Sequence, residues 1–548
     1  MVGLSRRITA CACLAGVLAS AGASGSEDAY EAGQARLRAG QYAEARRDFE
    51  EALRLAGSGP ERAAALIGIG ISRNAEKEHA RARAEFEKAL ATEGVTLEQA
   101  AEARCRLGAS YFLEGKLPEA RGEMEKVLAM AGAPVEWKVQ AQMTIGQSLG
   151  RLREWAEARA AFSRVPGIPG ASLQQKVDAR MAIVRAFFSE KAYGDARSVL
   201  AEILATRGLP PASKASARVL MGQSYLSEGN CTAAKSEFAS VLALEGVPDA
   251  SRAEAQLGIG LSDYRARDFD RATPELRKVL AMPGATARQT HEAKLRLCLR
   301  ERRLDGEKAL TVLFIGASHT QVWSIPLLVE ALAASAPPGC PRIITDEFTR
   351  GGRMINWFWE EGAGPDTARA KIATEPWDFV VLETFFTLPH DGLFKYGTLF
   401  TDLIRSRGAR PALYESPVNY SYPYPEKFQS FHEENVALGK ALRAPVAPSC
   451  RAWMTYLGPN PPDEERRALY GRDAVHTSKK GGYMAACCIY SAITGLSPVG
   501  LTHRAPTLEP DGLSPEEAAA LQKAAWTAYQ ETNAEHQTAF EVVNPGKE

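Results

Sequence analysis

Two kinds of hydrophobic patterning divide this chain. Up to about Arg303, apolar residues recur at i, i+3, i+4 and i+7, the spacing of one face of an α-helix. Within that stretch an alanine flanked by charged residues is followed four positions later by a large apolar residue. The pairs are Ala45/Phe49, Ala82/Phe86, Ala120/Met124, Ala158/Phe162, Ala196/Leu200, Ala234/Phe238 and Ala272/Leu276. The alanines are 37 residues apart at the first step and 38 at the next five. A glycine keeps the same rhythm at Gly57, Gly94, Gly132, Gly170, Gly208, Gly246 and Gly284. Each unit holds two helical segments, such as residues 103–111 and 119–128, and its glycine suits a left-handed C-cap. The small alanine lets the paired helices approach closely. A helix hairpin cannot bury its apolar stripe alone, so the units are expected to stack as an α-solenoid of about seven repeats. A last unpaired helix, around His291 to Arg303, is placed to cap it.

After Arg303 the 38-residue period stops and short apolar runs alternate with helical patterns. The runs Leu310–Ile315, Arg342–Phe348, Phe379–Glu383 and Pro411–Glu415 read as strands, with helices at Ile325–Ala334 and Gly482–Ile493 between and after them. Strands alternating with helices predict a parallel sheet covered on both faces, a three-layer α/β domain. In such a sheet ligands bind outside the carboxyl ends of the strands.

A chain of 548 residues is too long for one core, which agrees with two domains. Its 66 basic and 66 acidic residues cancel and no basic run stands out, which argues against nucleic acid or an anionic membrane as the main partner. Residues 1–23 carry Arg6 and Arg7, a short apolar stretch and small residues in a small-x-small pattern. This reads as a signal peptide and predicts export, to a periplasmic or extracellular place. No later stretch has the length and apolarity of a membrane span, so none is expected once the signal is removed. Two of the nine cysteines, Cys11 and Cys13, fall in the leader. The other seven show no zinc-type spacing, and Cys340 with Cys450 is the pair to check for a disulfide. No metal-ligand cluster or phosphate-binding glycine loop is present, and no cofactor is expected.

Ser318 lies just past the first strand, near a helix start, where its hydroxyl is exposed and a backbone N–H can face a developing oxyanion. Asp473 precedes His476 by three residues, so its carboxylate can hold one ring nitrogen and leave the other for a serine. Alone, a Gly-x-Ser after a strand is a common turn or N-cap, and an isolated Asp-x-x-His a common surface turn. His319 neighbours the serine, Trp357 follows the second strand, and Glu415 ends the fourth at the same edge. These three are candidates for touching substrate, with a structural or packing role as the alternative for His319 and Trp357.

Leu107-Gly108-x-x-Tyr111, Met221-Gly222-x-x-Tyr225 and the Ala-x-x-x-Phe elements resemble tetratricopeptide repeats over residues 28–303, with a period longer than the usual 34. That resemblance implies a surface for a protein partner. Over residues 309–531 the chain resembles the SGNH (GDSL-like) hydrolase superfamily. Gly316-Ala317-Ser318-His319-Thr320 is similar to block I, Arg350-Gly351-Gly352 to block II and Asp473-x-x-His476 to block V. The resemblance implies a Ser318–His476–Asp473 triad and an oxyanion hole formed by the N–H groups of Ser318 and Gly352. It further implies hydrolysis of O-acyl esters, with acetylated carbohydrate the leading substrate. One departure stands out. Block III normally supplies an Asn, whereas Phe379–Glu383 is followed by Thr384-Phe385-Phe386-Thr387. Thr387 falls near the place of the Asn and is the candidate third donor, with Asn419 another. Two readings therefore remain beside the esterase: a periplasmic scaffold whose hydrolase domain has lost turnover, and an O-acyltransferase. Residues 532–548 are read as a tail.

Overall fold

A computed structural model describes residues 25–505, 508 and 512–534. The signal-peptide expectation, residues 1–23, and most of the expected tail lie outside them. The chain divides into two compact units, residues 1–251 and 252–548. Among the described residues no helix is long and apolar enough to cross a membrane.

Seven helix hairpins follow one another from Gly25–Arg38 with Tyr42–Leu55 to Asp249–Arg265 with Phe269–Ala281, and a single helix, Ala287–Glu301, follows them. The periodic alanines are buried, as are their i+4 partners Phe49, Phe86, Met124, Phe162, Leu200, Phe238 and Leu276. The close approach has a second ingredient, a glycine on the first helix of the hairpin. A Cβ on Gly222 would stand 2.7 Å from the Phe238 ring, and one on Gly108 2.7 Å from Met124 Cε. A side chain at Gly222 would drive into the Phe238 ring, and one at Gly108 would have to displace the end of Met124.

The recurring glycines differ from the expectation in one respect. Six of the seven have positive φ, from 68° at Gly246 to 85° at Gly170, but they sit beyond the helix end rather than capping it. In the second hairpin the helix stops at Ala91. Val95 N–H then donates to Thr92 O at 3.2 Å, closing a turn with Gly94 at its third position. That turn needs positive φ there. Gly57 is not among the positive-φ residues; its N–H donates to Glu61 Oε2 at the start of the next helix. The left-handed caps lie inside the hairpins, at Gly40, Lys77, Gly115, Arg153, Lys191, Gly229 and Arg267. Each repeats one bond across six residues, as from Lys116 N to Tyr111 O and from Asn230 N to Tyr225 O, both 2.9 Å.

Neighbouring hairpins of the first unit share a ladder of ion pairs. Arg83 meets Glu114, Arg121 meets Glu154 and Arg197 meets Glu228, at 2.9, 3.7 and 2.7 Å; Arg46–Glu76 and Arg159–Glu190 continue the series. The guanidinium groups of Arg83, Arg159 and Arg197 also cover the rings of Tyr111, Phe187 and Tyr225 at 4.6, 4.3 and 4.6 Å. Partly exposed pairs of this kind contribute little singly. They repeat one contact from hairpin to hairpin, beside the buried apolar side chains that the hairpins share.

Among its described residues the second unit holds six strands: β1 (Arg303–Leu304), β2 (Glu307–Gly316), β3 (Arg342–Thr349), β4 (Phe379–Thr384), β5 (Arg410–Glu415) and β6 (Val446–Ala447). The two-residue strands β1 and β6 are too short to show in an apolar pattern. β1 pairs with β2 in an antiparallel hairpin, and the other pairs are parallel, in the order β3-β2-β4-β5-β6. Side chains alternate across β2. Leu310, Val312 and Phe314 join a core with helices Ile325–Ser335, Ser449–Leu457, Lys479–Thr494 and Pro515–Asn533. Ala309, Leu313 and Ile315 join the opposite core with helices Ile355–Glu360, Ala368–Thr374 and His390–Ser406. Three layers result, as the alternation of strands and helices predicted.

The helix expected to cap the repeats does so, packing Ala293 and Leu297 against Leu257, Ala272 and Leu276 of the last hairpin, and it also joins this second core. Ala287–Glu301 buries Leu295, Cys298 and Leu299 against Leu313 and Ile344. Polar contacts hold it as well. Arg296 Nη1 and Tyr264 Oη both bond Glu375 at 2.8 Å, Arg302 Nη1 bonds Asp378 at 2.6 Å, and His291 Nε2 lies 2.9 Å from Glu330. The Cys340–Cys450 disulfide is not formed. All seven described cysteines are free, and the Cys450 thiol is buried with the Ser416 carbonyl 3.7 Å away.

Candidate active site

The chain leaves β2 to pair β3 on one side and β4 on the other, so the loops after β2 and β4 diverge at a point where the strand order reverses. Clefts form at such points. The registers Gly316↔Thr349 and Thr384↔Glu415 bring four loops to one carboxyl edge. Those loops carry Ser318, Gly352, Thr387 and Asn419.

Ser318 opens a short helical turn, Ser318–Gln321, directly after β2. Three bonds to one buried carboxylate oxygen hold that turn. Glu383 Oε2, at the end of β4, accepts from Ala317 N (2.7 Å), Thr320 N (3.3 Å) and Thr320 Oγ1 (2.6 Å). Burial pushes the Glu383 carboxyl up, against the pull of these donors. Gly316 permits the approach: a Cβ there would stand 2.5 Å from the same oxygen. On the other side Arg350 N donates to Gly316 O at 3.1 Å, and Gln321 Nε2 to Thr349 Oγ1 at 2.8 Å. The exposed Gly352, φ 70°, follows in that loop.

Asp473 and His476 share a tight turn. His476 Nδ1 lies 2.6 Å from Asp473 Oδ2, while Asp473 Oδ1 accepts the N–H groups of Val475 and His476 at 3.0 Å each. These bonds, the one with His476 first, hold the Asp473 carboxyl well below the usual carboxylate range. The turn is tied to the serine loop through Trp323, whose Nε1 donates to Thr477 O at 2.9 Å. Trp323 and its neighbour Ser324 both have positive φ, 65° and 49°, a costly conformation that the bond and the packing on Gly482 sustain. Tyr420 N, from the loop after β5, donates to Ala474 O at 3.1 Å. The ring of His476 lies 5.4 Å from that of His319. The structure thus brings the Asp473–His476 turn beside the residue following Ser318. Among the described residues no hydrogen bond joins Ser318 Oγ to His476. Such bonds are often long before substrate binds.

The remaining expected residues fall as follows. His319 is buried between Phe385 and His476, and neither ring nitrogen has a partner among the described residues. Burial first, then the neighbouring His476, pushes its pKa down to about 4, so it is neutral at ordinary pH. Thr387 is exposed and donates to Met354 Sδ at 3.4 Å. Asn419 is half-buried and its Oδ1 has no partner among the described residues. Trp357 is half-buried, edge-on to Phe358 and under the Arg353 guanidinium at 5.2 Å. Glu415 corrects the expectation of a pocket residue. Its side chain is fully buried and lies 3.2 Å from His432 Nδ1, because the last residue of β5 turns into the core. Burial lowers the His432 pKa and the Glu415 carboxylate more than restores it, for a net rise. Among the described residues no group of three His, Cys, Asp or Glu side chains could hold a metal ion.

The sequence reading missed Glu383 and Trp323. A carboxylate closing the buried run Phe379-Val380-Val381-Leu382 was the signal for the first. Nothing in the sequence marked the second.

The model of the tetratricopeptide repeat family matches residues 30–94 and 219–285. The N-terminal region carries tetratricopeptide repeats. Solved structures with some likeness include a tetratricopeptide repeat protein from Parabacteroides merdae (15% identity, 50% of this chain and 100% of that one, TM-score 0.34). Pseudomonas aeruginosa pilF overlaps 40% of this chain and 92% of its own (16%, 0.31), and the quorum sensor NprR from B. thuringiensis 50% and 81% (14%, 0.35). No curated protein matches the chain. Both segments matched by the family model lie in the helical array, which is therefore an array of the protein-interaction type.

Proposed function

We propose that the α/β part is a serine esterase of the SGNH kind, acting on O-acyl esters, in an exported protein whose repeats bind a protein partner. The observation that carries this reading is the 2.6 Å contact between Asp473 and His476, on a turn whose histidine ring packs beside the residue after Ser318. With Asp473 holding Nδ1–H, the free Nε2 of His476 is the base. Ser318 Oγ attacks the ester carbonyl and passes its proton to Nε2. The oxyanion is met by the N–H groups of Ser318 and Gly352. His476 then gives the proton to the departing alcohol, and water releases the acyl group by the same steps in reverse order. Acetylated carbohydrate remains the first substrate to try, on the strength of the resemblance alone.

With Thr387 engaged on Met354, this oxyanion hole is short of its third donor. Loss of one donor typically costs about 10²–10³ in kcat. That same contact favours a second reading, in which the domain has lost turnover and the protein is a scaffold. The two separate in one experiment: hydrolysis of p-nitrophenyl acetate by the whole protein and by Ser318→Ala. The esterase reading expects activity that disappears in the variant. Equal, near-background rates from both folded proteins would end it in favour of the scaffold.

A further inference from the structure

β4 gives the site a carboxylate at the strand end where the SGNH pattern continues toward an Asn. Glu383 is fully buried, and its Oε2 gathers Ala317 N, Thr320 N and Thr320 Oγ1, the groups on either side of Ser318. Its other oxygen, Oε1, is buried without a partner among the described residues. Leaving a polar atom unpaired in the interior is costly, so an ordinary core would not keep a carboxylate here. Nor would it keep Gly316, whose bare Cα makes room for this oxygen. With Ala317 and Thr320 both tied to one acceptor, the backbone between them, which includes Ser318, has little freedom to rotate.

We propose that Glu383 is the positioning residue of the nucleophile turn, holding Ser318 from beneath the site through Ala317 and Thr320. The inference rests on the esterase reading. It assigns β4 a task different from that of the missing Asn: aiming the nucleophile rather than binding the oxyanion. A displacement of about 1 Å at a reacting atom can cost about 10²-fold in rate, which sets the expected effect.

The test uses the whole protein and four forms: wild type, Glu383→Gln, Glu383→Ala and Thr320→Val. Active sites are titrated with a fluorophosphonate that labels a reactive serine. Then kcat per titrated site and KM are measured on p-nitrophenyl acetate. Glutamine keeps an acceptor oxygen in the same place and should recover most of the wild-type kcat. Alanine should lower kcat per site about 10²-fold, and Thr320→Val about 10-fold, with KM within about 2-fold in both. A residue needed only for folding would reduce the titratable fraction and leave kcat per site alone. If the alanine variant does not fold, Thr320→Val decides. A wild-type kcat per site in Thr320→Val, or in folded Glu383→Ala, overturns the proposal while leaving the esterase intact. Failure of the fluorophosphonate to label Ser318 in wild type overturns both.

Discussion

His476 Nδ1 and Asp473 Oδ2 are 2.6 Å apart, and the same carboxylate also accepts the backbone N–H groups of Val475 and His476. One side chain therefore shapes the turn with one oxygen and sets the histidine tautomer with the other. The two tasks can be separated. Asp473→Asn keeps an oxygen for the backbone donors but turns an NH₂ group toward Nδ1. The ring proton then moves to Nε2, where it blocks the base. We expect a folded protein whose melting temperature is little changed and whose Ser318-dependent kcat falls by about 10³-fold or more. Unchanged kcat in this variant would mean that Asp473 only builds the turn.

The helix that joins the repeats to the sheet carries a titrating contact. The hydrogen bond to Glu330 raises the pKa of His291 above 6.5, burial opposes it and neighbouring carboxylates add to the rise. A histidine raised on folding contributes stability that is fully present below its unfolded pKa. That contribution is lost as pH rises through the folded value. Backbone hydrogen exchange in residues 287–301, corrected for its intrinsic pH dependence, should therefore be faster at about pH 8.5 than at about pH 6. His291→Gln should flatten the difference. An equal difference in the variant would assign it to another group.

Packing in the repeats makes a third prediction. A Cβ at Gly222 would meet the Phe238 ring at 2.7 Å, so Gly222→Val forces two close helices apart. Overpacking of this kind costs about 1–3 kcal/mol. Urea unfolding followed by the helical signal should show that loss. Gly122→Ala, on an open helix face, should show none, since a Cβ there has nothing within 4 Å.

The repeats were legible because their signal is local and redundant. The alanine and its i+4 partner lie on one helix face, and the marker recurs at Ala45, Ala82 and onward. The helix caps were read at the wrong place for a physical reason. Four of the seven left-handed caps within the hairpins are Lys or Arg, whose backbone conformation is imposed by the bond across six residues rather than by the residue type. The strands β2 to β5 were legible as apolar runs, and the contact of Asp473 with His476 from their spacing in the chain. Glu415 was misplaced because residue type gives no direction. Whether the last residue of a strand faces the cleft or the core depends on its pleat and on His432, seventeen residues away.

Sequence alone determined what depends on neighbours along the chain: the helix hairpins, the alternation of strands and helices, and a carboxylate three residues ahead of a histidine. Tertiary structure alone decided what depends on groups far apart in sequence. It set Glu383 beneath Ser318, 65 residues from it in the chain. It tied the histidine turn to the serine loop through Trp323, and it packed the capping helix Ala287–Glu301 on the sheet as well as on the last hairpin. The physical reason is the same in each case. Local backbone preference is written residue by residue, whereas the partner of a buried polar group or apolar face is fixed only when the whole domain closes around it.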